Sequence, residues 1–256
     1  MEQGIAVVTG AAGGIGAAVA SALGDQGVAV AAVDRESDRL ATLVAKLGVN
    51  GARAEAFPTD VRDARSVTSM VDDVERRLGP VDYLVNCAGI LRLGEARALS
   101  DEDWSDTFAV NVTGVRNVSR AVVDRMVPRR RGGIVTVASN AARVPRMRMA
   151  AYAASKAAAA MYTKCLGLEV ARYGIRCNVV APGSTDTPML RSMWRDDGDR
   201  RETLEGRLDS YRVGIPLGKV ATPAAIADAV AFLLSDRASH ITLQDLTVDG
   251  GAALGV

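Results

Sequence analysis

Seven short runs of apolar and β-branched residues, at positions 5–9, 28–33, 52–57, 81–86, 133–139, 175–181 and 243–248, alternate with longer stretches of mixed polarity. Those stretches, at 15–26, 36–47, 64–78, 103–127, 151–173 and 223–234, have the spacing and the Ala, Leu, Arg and Glu content of helices. Runs so short and so continuously apolar read as strands buried on both faces. Strand and helix in alternation predict a doubly wound parallel sheet of seven strands with helices on both faces. Crossovers in such a sheet are right-handed, and ligands bind beyond the carboxyl ends of the strands. Function is therefore expected at strand-to-helix junctions.

The chain has 256 residues and shows no internal repeat, low-complexity tract or Pro/Gly/Ser linker, so one domain over 1–256 is expected. Its 31 basic and 30 acidic side chains leave a net charge of +1, too little to draw in nucleic acid or an anionic membrane surface. The three cysteines, Cys87, Cys165 and Cys177, are scattered, with no C-x-x-C pair and no neighbouring histidines, so neither a disulfide framework nor a metal site is predicted. No basic stretch followed by a longer apolar one opens the chain, and no run of eighteen apolar residues occurs. The expected location is the cytoplasm.

Directly after the first strand comes Thr9-Gly10-Ala11-Ala12-Gly13-Gly14-Ile15-Gly16, and a helix then begins. Glycines at this turn let backbone approach a pyrophosphate, whose charge suits a helix N-terminus. Asp34, eighteen residues after Gly16, closes the second strand. Its carboxylate can accept from both hydroxyls of an adenosine ribose and would repel a 2′-phosphate, so NAD is expected rather than NADP. Arg35 follows and could answer such a phosphate only if Asp34 turned away. Asp34 also suits a cap for the helix expected from Glu36, and that reading stays open.

Tyr152 and Lys156 stand at i and i+4 of an expected helix, so both side chains leave one face about a turn apart. A free tyrosine has a pKa of about 10 and needs a nearby cation before it takes protons efficiently near neutrality. Lys156 and the positive ring of oxidised nicotinamide are placed to supply that field. Ser139, thirteen residues before Tyr152, can hold a substrate hydroxyl against the phenol while the adjoining carbon gives up hydride.

Thr9-Gly10-x-x-x-Gly14-x-Gly16, Asn86-Cys87-Ala88-Gly89, Asn111, Ser139, Tyr152-x-x-x-Lys156 and Pro182-Gly183, in this order and spacing, resemble the short-chain dehydrogenase/reductase family along essentially the whole chain. The resemblance implies a Rossmann-type fold, an NAD cofactor and oxidation of an alcohol. By the same token Gly10, Ala12, Gly14, Ile15, Gly16, Asp34 and Arg35 would hold the pyrophosphate and adenosine, and Asp60 and Val61 would line the adenine. Asn86, Ala88 and Gly89 would line the cofactor cleft, and Pro182, Gly183, Thr185 and Thr187 the nicotinamide end. Asn111 would anchor a water that carries the proton outwards, and Lys156 would hold the nicotinamide ribose. Cys87 departs from the commoner Asn or Ala, and a packing role is expected for it. Homotetramers of the family pair their long helices, here 103–127 and 151–173.

Thr136-Val137-Ala138-Ser139, Pro145-Arg146, Pro182-Gly183-Ser184-Thr185-Asp186-Thr187, Gly214-Ile215-Pro216-Leu217-Gly218-Lys219 and the stretch from Ala238 to Asp245 look like those of 2,3-dihydro-2,3-dihydroxybenzoate dehydrogenases within that family. That likeness implies oxidation of a ring alcohol in a small aromatic-precursor acid, with the catechol acid of siderophores as product. Arg146 is the first candidate to bind the carboxylate, because a guanidinium offers it two hydrogen bonds; Arg92, Arg143 and Arg148 are rivals. Met189, Met147 and Met149 are placed to border the substrate or fill space. Asn140, beside Ser139, replaces the Asp frequent in these enzymes, so a dihydro-3-hydroxyanthranilate remains a second candidate substrate. A 3-oxoacyl reductase using NADPH is disfavoured by Asp34, and an NAD-sensing or scaffold protein by the intact Ser139, Tyr152 and Lys156. His240, the only histidine, is expected to be structural, and Arg129, Arg130 and Arg131 to form a solvated turn. The segment 187–214, poor in strand signals, is either a cover over the site or a surface insertion.

Overall fold

The computed structural model describes residues 4–255. Its elements are β1 (Ile5–Thr9), α1 (Gly14–Gly24), β2 (Ala29–Asp34), α2 (Ser37–Val49), β3 (Ala54–Pro58), α3 (Ala64–Arg77), β4 (Tyr83–Asn86), α4 (Asp101–Phe108), α5 (Val115–Arg129), β5 (Gly132–Val137), α6 (Ala150–Val170) and β6 (Ile175–Pro182). They continue with α7 (Pro188–Arg191), α8 (Asp197–Glu205), β7 (Gly206–Arg207), β8 (Arg212–Val213), α9 (Pro223–Leu234) and β9 (Asp245–Val248). Seven strands form one sheet in the order β3-β2-β1-β4-β5-β6-β9, every neighbouring pair parallel. The order reverses between β1 and β4, which opens a crevice at their carboxyl ends.

Alternate residues of each strand feed two cores. Val7, Ala31, Leu84 and Ile134 face α3 and α5, packing with Met70, Val74, Val118, Val122 and Met126. Val8, Val30, Val85, Val135 and Val180 face the other way, onto Val19 and Leu23 of α1 and Ile226 and Val230 of α9. Covered on both faces, the strands have no polar alternation to show, which is why their sequence reads as unbroken apolar runs.

Two expectations are corrected. The single helix expected at 103–127 is α4 and α5 joined by a wider π-helical turn over Ala109–Gly114, so the chain gains a bulge where Asn111 sits. The three arginines after α5 do more than face solvent. Arg129 donates to the Val81 carbonyl and lies 3.7 Å from Glu75, Arg130 donates to the Arg172 carbonyl, and Arg131 pairs with Asp82 at 2.7 Å. They tie the end of α5 to the start of β4 and to the segment before β6.

Candidate active site

The loop from β1 into α1 is built where side chains would not fit. Gly10 has φ +66°, and a Cβ on it would stand 2.7 Å from the Ala88 backbone nitrogen. A Cβ on Gly16 would overlap the Gly10 carbonyl. One on Gly14 would lie 2.7 Å from the Thr187 methyl, so the missing side chain lets the segment after β6 reach the loop. Thr9 Oγ1 accepts from the backbone N–H groups of Cys87 (3.1 Å) and Ala88 (3.2 Å), fixing the 86–89 loop beside it. This bare backbone at the first turn of a helix fits the pyrophosphate of a dinucleotide.

Asp34 accepts from the Ala12 N–H at 3.0 Å and the Glu36 N–H at 3.2 Å. The helix that follows is capped at Glu36 without a side-chain bond, so Asp34 makes a turn before α2 instead of being its cap residue. Arg35 points into solvent and pairs with Glu36 at 3.3 Å. Asp60 is held by Arg62 through a 2.9 Å bond from Nε, and that guanidinium keeps its carboxyl below the ordinary range. Val61 is buried against Gly114, its carbonyl accepting from Asn117 at 3.0 Å.

Beyond these lies a cavity of about 790 Å³. Ile15, Gly89, Ser139, Asn140, Tyr152 and Lys156 line it, together with Pro182, Gly183, Thr185, Thr187, Met189 and Arg146. Met147 and Met149 also border it. The segment 187–214 folds into α7, α8 and the β7–β8 hairpin and forms a wall of this cavity, as a cover would. Thr187 caps α7, accepting from the Leu190 N–H at 3.2 Å.

The Lys156 ammonium donates to the Val137 carbonyl at 2.8 Å and lies 5.8 Å from the centre of the Tyr152 ring. The missing Cβ of Gly89 leaves room there, since it would stand 3.2 Å from Nζ. Burial pushes Lys156 down from 10.5 to about 8. Burial also pushes Tyr152 up, with the Ser139 hydroxyl acting the other way. In the protein alone burial therefore outweighs the Ser139 hydrogen bond, and the field that favours the phenolate has to come from Lys156 together with the oxidised nicotinamide ring.

A lysine that binds its proton less tightly folded than unfolded makes stability rise with pH, here from about 8 to about 10.5. Urea titrations of the cofactor-free protein are expected to show wild type gaining more stability across that window than Lys156→Met. Parallel pH profiles for the two proteins would contradict this.

Asn111, fully buried in the bulge, accepts from the Ile90 N–H at 2.8 Å and donates to the Ile90 carbonyl and to Ser155 Oγ, each at 3.0 Å. It pins the loop after β4 to α6, the helix of Tyr152 and Lys156. Asn86 turns away from the cavity, donating to Ser119 and Thr136 in the interior. Cys87 lines the cavity, where burial pushes its thiol up to about 12, far from a reactive thiolate. His240 is exposed and lies outside the cavity.

Among the rival arginines, Arg143 is bound to Asp245 at 3.0 Å and Arg92 to Asp103 at 3.2 Å, and neither lines the cavity. Arg146 does, as does Arg148 from a more exposed position. Asn140 donates to Asp249 at 3.0 Å, and Gly183 is bare because a Cβ there would meet the Asp249 backbone at 2.9 Å. An Asp at 140 would set two carboxylates against each other, so the Asn here matches its partner. Arg212, which lines the cavity, and Asp249, behind the lining residues Asn140 and Gly183, were not apparent from sequence. An acidic residue at the carboxyl end of the last strand was a usable signal for Asp249; Arg212 sits in an irregular polar stretch that offered none.

A family model described as short chain dehydrogenase matches residues 4–198. The chain belongs to the short-chain dehydrogenase family. It is 55% identical over 256 residues to a 2,3-dihydro-2,3-dihydroxybenzoate dehydrogenase of Bacillus subtilis, covering all of this chain and 98% of that one. It is 45% identical over 251 residues to the enzyme of the same name from Escherichia coli, covering 97% and 96% of the two chains. With the vibriobactin-specific dehydrogenase of Vibrio cholerae the identity is 42% over 249 residues, covering 97% and 95%. Among solved structures, an actinorhodin polyketide ketoreductase with NADPH superposes with a TM-score of 0.90 at 35% identity, covering 98% of each chain. A 7α-hydroxysteroid dehydrogenase complexed with NADH and 7-oxo glycochenodeoxycholic acid gives 0.89 at 29% identity, covering 97% and 94%. Members of this short-chain dehydrogenase family are oxidoreductases of nicotinamide cofactors, and no helix among the described residues is long and apolar enough to cross a membrane.

Proposed function

We propose that this short-chain dehydrogenase oxidises the C3 alcohol of 2,3-dihydro-2,3-dihydroxybenzoate with NAD, giving 2,3-dihydroxybenzoate for siderophore-type biosynthesis. The observation that carries this reading is the meeting of Ser139, Tyr152 and Lys156 in one cavity that also holds Arg146. The name shared by its similar relatives, one of them specific to vibriobactin, supports the substrate.

NAD, when bound, supplies the hydride acceptor and a positive charge beside Tyr152. Ser139 Oγ donates to the C3 oxygen and holds it against the phenol. Tyr152, as phenolate, takes the hydroxyl proton as the C3–H bond breaks and a C3 carbonyl forms. Lys156 stabilises the phenolate, and Asn111, whose amide is already committed to Ile90 and Ser155, would hold the outgoing water through the loop it fixes. The C2 hydrogen then leaves as a proton and the C3 oxygen gains one, which makes the ring aromatic and drives oxidation forward. Arg146 binds the carboxylate.

NAD is proposed over NADP because Asp34 cannot turn from a 2′-phosphate without giving up its bonds to the Ala12 and Glu36 N–H groups. The whole chain acts as one cofactor-binding domain in this reading, in the cytoplasm. It assembles as a homotetramer through α5 and α6, where Met161 and Leu168 are 60% and 70% exposed.

The test mixes protein with 2,3-dihydro-2,3-dihydroxybenzoate and either NAD or NADP, following reduced nicotinamide and the fluorescent catechol, with 2,3-dihydro-3-hydroxyanthranilate in parallel. Rapid NAD-linked formation of 2,3-dihydroxybenzoate is expected. Turnover of the amino compound alone would overturn the substrate, and a preference for NADP would overturn the role of Asp34.

A further inference from the structure

Five arginines reach the cavity, and they differ in what balances them. Arg195 is paired with Asp199 at 3.0 Å and Arg207 with Glu202 at 3.0 Å. Arg148 is exposed to solvent. Arg146 and Arg212 are half-buried, and among the described residues neither has a carboxylate within ion-pair distance. Arg146 donates a long 3.4 Å bond to the Ala252 carbonyl, and Asp249 compensates its charge only through space. Arg212, on β8, donates to Ser184 Oγ at 3.1 Å, and Ser184 follows the Gly183 that packs on Asp249. Burial and then the Arg146 charge disfavour the Arg212 cation, with Glu202 acting the other way.

Two guanidiniums sharing a partly desolvated wall repel each other, and among the described residues Asp249 and Glu202 offset them only through space, with no carboxylate in contact with either. An anion lying between them would relieve them directly, since each can give it charge-assisted hydrogen bonds in a forked geometry. We propose that Arg212, fixed by Ser184, and Arg146 together form the carboxylate subsite for a small ring acid in this cavity. The inference rests on the ring-acid reading above and adds a residue to it from a segment 66 positions along the chain from Arg146. The β7–β8 hairpin then has a purpose: it carries half of the anion site, so the segment 187–214 contributes specificity as well as a wall.

The test is equilibrium binding of 2,3-dihydroxybenzoate, benzoate and catechol to wild type, Arg212→Gln and Arg212→Lys, by calorimetry in the presence of NAD. Arg212→Gln is expected to weaken both acids by about tenfold to a hundredfold, the worth of hydrogen bonds to a charged group. Catechol, which has no carboxylate, should bind wild type and Arg212→Gln alike, and Arg212→Lys should recover part of the loss. In turnover the loss should fall on KM rather than kcat. Arg212→Gln binding the acids as tightly as wild type, or losing catechol and acids equally, would overturn the subsite, as would a wild type that binds neither acid. If wild type binds the acids through Arg212 but oxidises neither candidate diene, the subsite stands and the substrate reading falls. If wild type oxidises the diene while Arg212→Gln binds acids normally, the reverse holds.

Discussion

Tyr152→Phe is expected to leave NAD binding intact and to lower kcat by about 10²- to 10⁴-fold, the usual worth of a positioned proton-transfer group. The ring is kept, so packing in α6 is undisturbed; only the oxygen that takes the proton is lost. Ser139 is a poor replacement, because an aliphatic hydroxyl gives up its proton far less readily than a phenol and its Oγ is already fixed by the Ala141 N–H at 3.1 Å. Stopped-flow turnover together with a fluorescence titration of NAD separates the two effects. A variant that turns over at the wild-type rate would remove Tyr152 from the chemistry, whereas loss of NAD binding would show that the phenol serves the cofactor site instead.

The second large effect is structural. Gly16→Ala places a methyl group into the Gly10 carbonyl, 2.7 Å from its carbon and 3.0 Å from Ala11 Cα, and all three atoms belong to backbone that cannot rotate aside. Overpacking of this kind costs about 1–3 kcal/mol, or roughly 2–12 °C in Tm for a chain of this size. The displaced Gly10 also presses on Ala88, so the loop loses its shape at the point where a pyrophosphate would lie. Thermal melts with and without NAD should show a lower Tm and no stabilisation by NAD. An unchanged Tm with normal stabilisation by NAD would show that the turn is not the close-packed cradle described.

Much of this was legible because it is local. Continuous apolar runs marked all seven strands of the sheet, and the helix expected at 223–234 coincides with α9. The i, i+4 spacing of Tyr152 and Lys156 survives unchanged on α6. What escaped the sequence is what long-range contacts decide. Asn111 lies in a π-helical bulge because its side chain bonds Ile90, on a different loop, and no periodicity in 103–127 announces that bond. Asn140 takes its meaning from Asp249, 109 residues later. Arg212 looked like one more charge in a polar stretch until the hairpin turned it toward Ser184. The burial that pushes Tyr152 up was not legible either: helix spacing gives the nearness of Lys156 but not the depth at which the phenol lies.

The central claim, that Ser139, Tyr152 and Lys156 remove hydride from a ring carbinol, is tested most directly by following the hydrogen itself. In the NAD assay with 2,3-dihydro-2,3-dihydroxybenzoate deuterated at C3, the account predicts deuterium in the reduced nicotinamide, none in the catechol product, and slower single turnover than with the protium substrate. Deuterium retained in the catechol, or released to water while the nicotinamide gains protium, would contradict it.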